Sequence, residues 1–179
     1  MERYMEKSSS VKIFVPTKKY GVQTIIIDIE DIGKYQAGSW MIWGSARHHT
    51  LYVVHRNNNV KTVDGYGRFH RLIVSAPPHL VVDHINGNGL DNRKCNLRLT
   101  TQAGNNKNSS KRRNAKTSTY KGVHFDKRSS SWKTQIQKDG KRMAIGTFDT
   151  ELEAVHAYNA AAEKYHGEYA KLNKIDEAG

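Results

Sequence analysis

The stretch from Val81 to Arg98 constrains this chain more than any other segment. The apolar pair Val81-Val82 opens it, Leu97 stands near its close, and Asp, His, Asn and Gly fill most of what lies between. So few hydrophobic side chains cannot build a core there, and the segment closes instead as two short strands around a polar loop. Val81-Val82 forms a short buried strand that delivers Asp83 and His84 side by side at its end. Gly87 and Gly89 allow a tight return, and Leu97-Arg98-Leu99 makes the second strand. Thr100 or Thr101 then caps a helix that carries Asn105.

That layout has chemical content. A hard cation takes oxygen ligands, and the Asp83 carboxylate and the Asn105 side-chain carbonyl supply two. His84 is the natural general base for a water molecule, because an imidazole titrates near neutrality. Together these groups suit hydrolysis of a phosphodiester.

Charge points the same way. Among 179 residues there are 29 Lys and Arg against 17 Asp and Glu, a formal net charge of +12. No acidic residue stands between Asp91 and Asp126, while Arg93, Lys94, Arg98, Lys107, Lys111, Arg112, Arg113, Lys116 and Lys121 all fall in that window. Such segregation implies a polyanionic partner, bound by release of condensed counterions, rather than a uniformly solvated surface. The one cysteine, Cys95, rules out an internal disulfide framework and a Cys-based zinc knuckle, and reads as a small buried filler. With no long apolar run and a polar N-terminus, the chain is expected to be soluble, in reducing cytosol, with no membrane partner.

Before the motif, residues 11–69 read as meandering antiparallel strands: Val11 to Val15, Thr24 to Ile29, Leu51 to Val54, a turn at Asn57-Asn58-Asn59, and a return ending at Arg68-Phe69. After it, residues 109–119 are polar and basic, a linker. Tyr120 to Phe125, Trp132 to Gln137 and Lys141 to Gly146 then read as three strands, with Lys138-Asp139-Gly140 turning the last pair. A helix follows, opened by the capping-box spacing of Thr150 and Glu153 and stopped near Gly167. Alternation turns Trp132, Thr134, Ile136, Met143 and Ile145 toward that helix. It leaves Lys133, Gln135, Gln137, Arg142 and Ala144 outward, where Lys121, His124 and Arg128 join them as candidate contacts to phosphates and base edges.

The run Asp83-His84-Ile85-Asn86-Gly87-Asn88, then Asp91-Asn92-Arg93, Asn96-Leu97-Arg98 and a helical Asn resembles the HNH (ββα-metal) nucleases of the phage and intron-homing type. His70-Arg71-Leu72-Ile73 ahead of it matches the same branch. The resemblance implies that Asp83 and Asn105 hold one divalent ion, Mg2+ or Mn2+, against the scissile phosphate. It implies that His84 deprotonates the attacking water and that Asn96 braces the loop to aim His84. Arg71 and Arg93 are candidate phosphate clamps, the other reading being a solvated surface arginine. A one-residue change of register would put Asn106 in the ligand's place, but the family's spacing from Asn96 lands on Asn105. Unlike many HNH proteins, the chain has no zinc-binding Cys pairs.

Tyr120-Lys121-Gly122-Val123-His124, Gly146-Thr147-Phe148-Asp149, Ala160-Ala161-Ala162 and His166 to Asn173 are similar to the Apetala-type DNA-binding domain of plant ethylene-response factors. That likeness implies a sheet lying in the major groove with the helix behind it. Lys121 and His124 stand where the plant proteins carry Arg, and Ala144 where they carry an outward Trp, so the plant target does not carry over.

The expected fold class is α+β: N-terminal antiparallel strands leading into a ββα-metal motif (1–108), a basic linker (109–119) and a small sheet packed on one helix (120–175). The expected activity is that of a homing-type, nicking DNA endonuclease on double-stranded DNA, with no small-molecule substrate, in the host-cell cytoplasm if phage-encoded. The other reading is a non-catalytic DNA-binding regulator that keeps a nuclease remnant.

Overall fold

The computed structural model of the chain describes residues 10–44, 50–57, 67–109 and 117–175. It clusters into two units, Met1–Gln102 and Ala103–Gly179.

In the first unit, β1 (Ser10–Thr17) and β2 (Gly21–Asp28) pair antiparallel. Val11, Ile13 and Val15 face inward, and Ile25 and Ile27 opposite them are fully buried. A short helix, α1 (Ile32–Gln36), leads to a second antiparallel pair, β3 (Trp40–Gly44) and β4 (Leu51–His55). Arg68 bridges Val54, and α2 (Phe69–Ile73) begins at the next residue. The core gathers Ile25, Ile27, Ile42, Val53, Phe69, Ile73, Leu90 and Leu97. Phe69 sits at its centre, edge-on to Tyr35 and Trp40. Each such side chain contributes about 1.5–3 kcal/mol by leaving water.

The expected strands at Val11 to Val15, Thr24 to Ile29 and Leu51 to Val54 fall in β1, β2 and β4. Three features differ. Phe69 opens a helix rather than ending a strand, Trp40–Gly44 forms a strand without a clear alternation to announce it, and Cys95 is exposed rather than buried. The Asn57–Asn59 turn and the return through the 60s lie largely outside the described residues, as does most of the expected 109–119 linker.

The motif begins with β5 (Val81–His84) and β6 (Leu97–Thr100), antiparallel, with Asp83 opposite Arg98 and His84 opposite Leu97. The loop between them is stitched to the edge of β2. Ile26 N–H donates to Leu90 O at 2.9 Å, and Asn92 N–H donates back to Ile26 O at 2.7 Å. Lys94 N–H donates to Asp28 Oδ2 at 2.8 Å, and its ammonium pairs with Glu30 and Asp31. Gly89 makes the close approach possible: a Cβ there would stand 2.4 Å from Leu51 O. Next in the chain is α3 (Gln102–Lys107), which runs across the boundary between the units and carries Asn105 in the second.

In the second unit, β7 (Val123–Asp126), β8 (Ser131–Lys138) and β9 (Lys141–Phe148) form an antiparallel sheet packed on α4 (Glu151–His166). Val123, Ile136, Ala154, Val155, Tyr158, Ala161 and Ala162 make the core. Thr150 and Glu153 close the expected capping box, worth about 1 kcal/mol. The first strand starts later than the alternation suggests. Gly122 takes φ +78°, with the Tyr158 ring and Gln135 O where a Cβ would be. Lys121 is held instead by Asn173, which accepts from its N–H at 2.7 Å and donates to its carbonyl at 3.0 Å.

Among the described residues, no helix is long and apolar enough to cross a membrane.

Candidate functional site

β5 ends with Asp83 and His84 both buried. Arg98, directly across on β6, donates to Asp83 Oδ2 from Nε at 2.9 Å and from Nη2 at 2.7 Å. The imidazole of His84 lies 5.0 Å from that of His70, near perpendicular, and 6.0 Å from the Tyr52 ring. Its Nε2 faces Asn92 Oδ1 at 3.5 Å, the outer limit of a hydrogen bond. Burial lowers the His84 pKa, against the opposing pull of Asn92, Asp83 and Asp91. The imidazole is therefore neutral at neutral pH, as a general base must be.

His70 is more extreme. It is 2% exposed, and burial, then His84, Arg68 and Arg71, hold its pKa well below the ordinary value. The sequence leaves open whether His70 holds structure or touches substrate; here it walls one side of His84. Tyr52 and Asn92 complete that wall; Asn92 stands in the Asp91-Asn92-Arg93 element with no role read for it, and nothing in the sequence singled out Tyr52. Asn92 is 0% exposed, which a polar loop residue would not announce.

The Asn96 side chain spans the loop. Its Oδ1 accepts from Asn86 N–H at 3.0 Å, and its Nδ2 donates to Asn86 Oδ1 at 3.1 Å and to Asp91 O at 2.8 Å. Arg93 grips Asp91 through Nε at 2.8 Å and Nη2 at 2.7 Å. Burial works to raise the Asp91 pKa, but Arg93 and Asn86 outweigh it, so the carboxyl titrates below its usual range. Arg71 is buried and donates to Leu80 O, Ala76 O and Pro77 O, closing the loop after α2. Both arginines proposed as clamps are thus engaged by their own loops.

The Asp83 carboxylate is the kind of oxygen donor a hard divalent ion takes; Asn105, half-buried, belongs to the second unit. A different acidic trio, Asp28, Glu30 and Asp31, also lies close together, but the Lys94 ammonium pairs with Glu30 and Asp31, and Lys34 with Asp31.

On the sheet of the second unit, His124 stands directly across from Lys133, Gln135 across from Ala144 and Gln137 across from Arg142. Lys133 pairs with Asp126, whose Oδ1 also accepts the Arg128 N–H. Lys121, Gln135, Gln137 and Arg142 share one cavity of about 400 Å³ with Lys107 and His166. Lys121 is half-buried and donates to Lys107 O; burial, with Lys171, brings its pKa down to about 8. Trp132 packs against the core, as its strand phase requires.

Residues 118–168 match the AP2 domain family, so the chain carries an AP2 domain. It is similar to a protein named as an uncharacterized HNH endonuclease of Acanthamoeba polyphaga mimivirus, 36% identical over 118 residues, 63% of this chain and 60% of that protein. An AP2-like ethylene-responsive transcription factor of Arabidopsis thaliana is 39% identical over 61 residues, 34% of this chain and 13% of its own length. A dehydration-responsive element-binding protein of the same plant is 44% identical over 57 residues, 31% and 27% of the two chains. The chain therefore spans less than two thirds of each of these relatives. No solved structure matches significantly. Together the matches support an HNH plus AP2 fusion, the pairing that the two motifs imply.

Proposed function

We propose that this chain is a metal-dependent DNA endonuclease of the homing type, in which β5, β6 and α3 act as a ββα-metal motif and the AP2 sheet grips double-stranded DNA. The observation that carries the reading is the placement of Asp83 and His84: adjacent, buried, and set at the end of β5 against a loop braced by Asn96. The likeness to a viral HNH endonuclease supports it.

His84 takes a proton from water at an imidazole nitrogen. A proton on Nε2, facing Asn92 Oδ1, makes Nδ1 the basic nitrogen. The water oxygen then bonds to phosphorus as the bond to the 3′ oxygen breaks, leaving 5′-phosphate and 3′-hydroxyl ends. Asp83 and Asn105 would hold a Mg2+ or Mn2+ ion, whose charge would stabilise the phosphate and the departing oxygen. Asn96 and the β2 edge keep the loop, and with it His84, from drifting. One such site per chain cuts one strand, so the expected product is a nick.

The other reading, a non-catalytic regulator, is favoured by one observation: Oδ2 of Asp83 already lies in the fork of Arg98. Supercoiled plasmid separates the two. The endonuclease converts it to open circles with Mg2+ or Mn2+ and not with a chelator, whereas a regulator binds it and leaves it supercoiled.

A further inference from the structure

The β1–β2 hairpin has two unlike faces. Its inner face packs on the core. Its outer face sets Lys12 across from Ile26, Phe14 across from Thr24, and Pro16 across from Val22. Phe14 and Val22 are each 67% exposed, the most open large hydrophobic side chains among the described residues. Lys18 and Lys19 stand exposed at the turn, and from Ser10 to Ile27 there is no acidic residue. Lys19 lies over the Tyr20 ring at 5.1 Å, and among the described residues none of these three lysines is in an ion pair.

We infer that this outer face is a second nucleic-acid contact, a β-ribbon laid against the duplex on the nuclease side; the inference rests on the reading that the chain acts on DNA. A two-stranded ribbon fits the major groove, lysines at its turn reach phosphates, and an apolar side chain such as Phe14 meets thymine methyl groups. A second copy of the chain is a poorer occupant, since two ribbons carrying only positive charge repel. The ribbon is also mechanically joined to the site. Ile26 exchanges backbone hydrogen bonds with Leu90 and Asn92, and Asn92 faces His84. A duplex held on the hairpin is thereby held in register with the loop that carries the proposed chemistry.

The test uses the full chain, its K12Q/K18Q/K19Q variant and its F14S variant, with binding to a mixed-sequence duplex followed by fluorescence anisotropy across a salt series. The triple variant is expected to lower the slope of log K against log salt by about 2–3, near 0.9 for each phosphate no longer neutralised, with an unchanged melting temperature. F14S is expected to weaken binding about tenfold at the parent slope, as removal of one good base interaction would. Protection from hydroxyl radicals should shorten at one end of the footprint in both. If both variants bind with parental slope, affinity and footprint, the hairpin does not touch DNA and the inference falls, while plasmid nicking by the same preparations leaves the endonuclease reading standing. Loss confined to binding of phosphatidylglycerol vesicles, or to self-association in sedimentation, overturns it in favour of those occupants. A parent chain that binds no DNA overturns this inference and the reading beneath it together.

Discussion

Arg98 and Asp83 face each other across the β5–β6 pair, with both Nε and Nη2 of the guanidinium on one carboxylate oxygen. Both side chains are largely shielded from water. Arg98→Met takes two charge-assisted bonds from a buried carboxylate and is expected to cost about 3 kcal/mol of stability in the first unit. Adding Asp83→Asn should recover part of that loss, because the buried charge goes with its partner. Denaturant melts of the single and double variants measure the coupling directly.

His70 makes the first unit acid-sensitive. Its folded pKa is held well below 6.5, while the unfolded imidazole titrates near that value. Both states are neutral above about pH 6.5, so the stability contribution is fully present there. Below it the unfolded chain binds the proton and the folded chain does not, and stability falls by up to about 1.4 kcal/mol per pH unit for this one group. His84, lowered in the same direction, adds to the slope. Melting temperatures from pH 7.5 to 5 should show this decline, and His70→Phe should flatten it.

The β5–β6 pair and the AP2 unit were legible in the sequence because each rests on local signals. Val81-Val82 and Leu97-Leu99 bracket their loop, and the alternation through Trp132, Thr134 and Ile136 puts a face on the sheet. The surroundings of His84 were not legible. Tyr52 and His70 reach it from β4 and α2, and Ile26 clamps the loop from β2, through contacts between residues far apart in the chain. Helices as short as α1 and α2 span too few residues for a 3.6 period to stand out. The three backbone carbonyls that Arg71 donates to belong to the loop after α2, a set of contacts its charge alone does not announce. Cys95 follows a buried-filler rule for its residue type, but the 3-10 turn Lys94–Asn96 buries Asn96 and turns Cys95 outward.

Gly122 separates the fates of the two units. At φ +78°, a Cβ would lie 2.1 Å from the Tyr158 ring and 2.7 Å from Gln135 O. The left-handed backbone alone costs a side chain about 1–2 kcal/mol, and Tyr158 is a core ring that cannot withdraw. Gly122→Ala is expected to loosen β7, β8 and α4 while leaving the first unit intact. Hydrogen exchange resolved by segment should show protection lost from 123–166 and retained across β2 and β5.

His84 is proposed to do the chemistry while the AP2 sheet supplies grip. Plasmid cleavage and duplex affinity, measured side by side for the parent and His84→Ala in Mg2+ or Mn2+, test that division most directly. Nicking is expected to fall by about a hundredfold or more, the usual contribution of a general base, with affinity for DNA retained. Unchanged nicking in His84→Ala would contradict it.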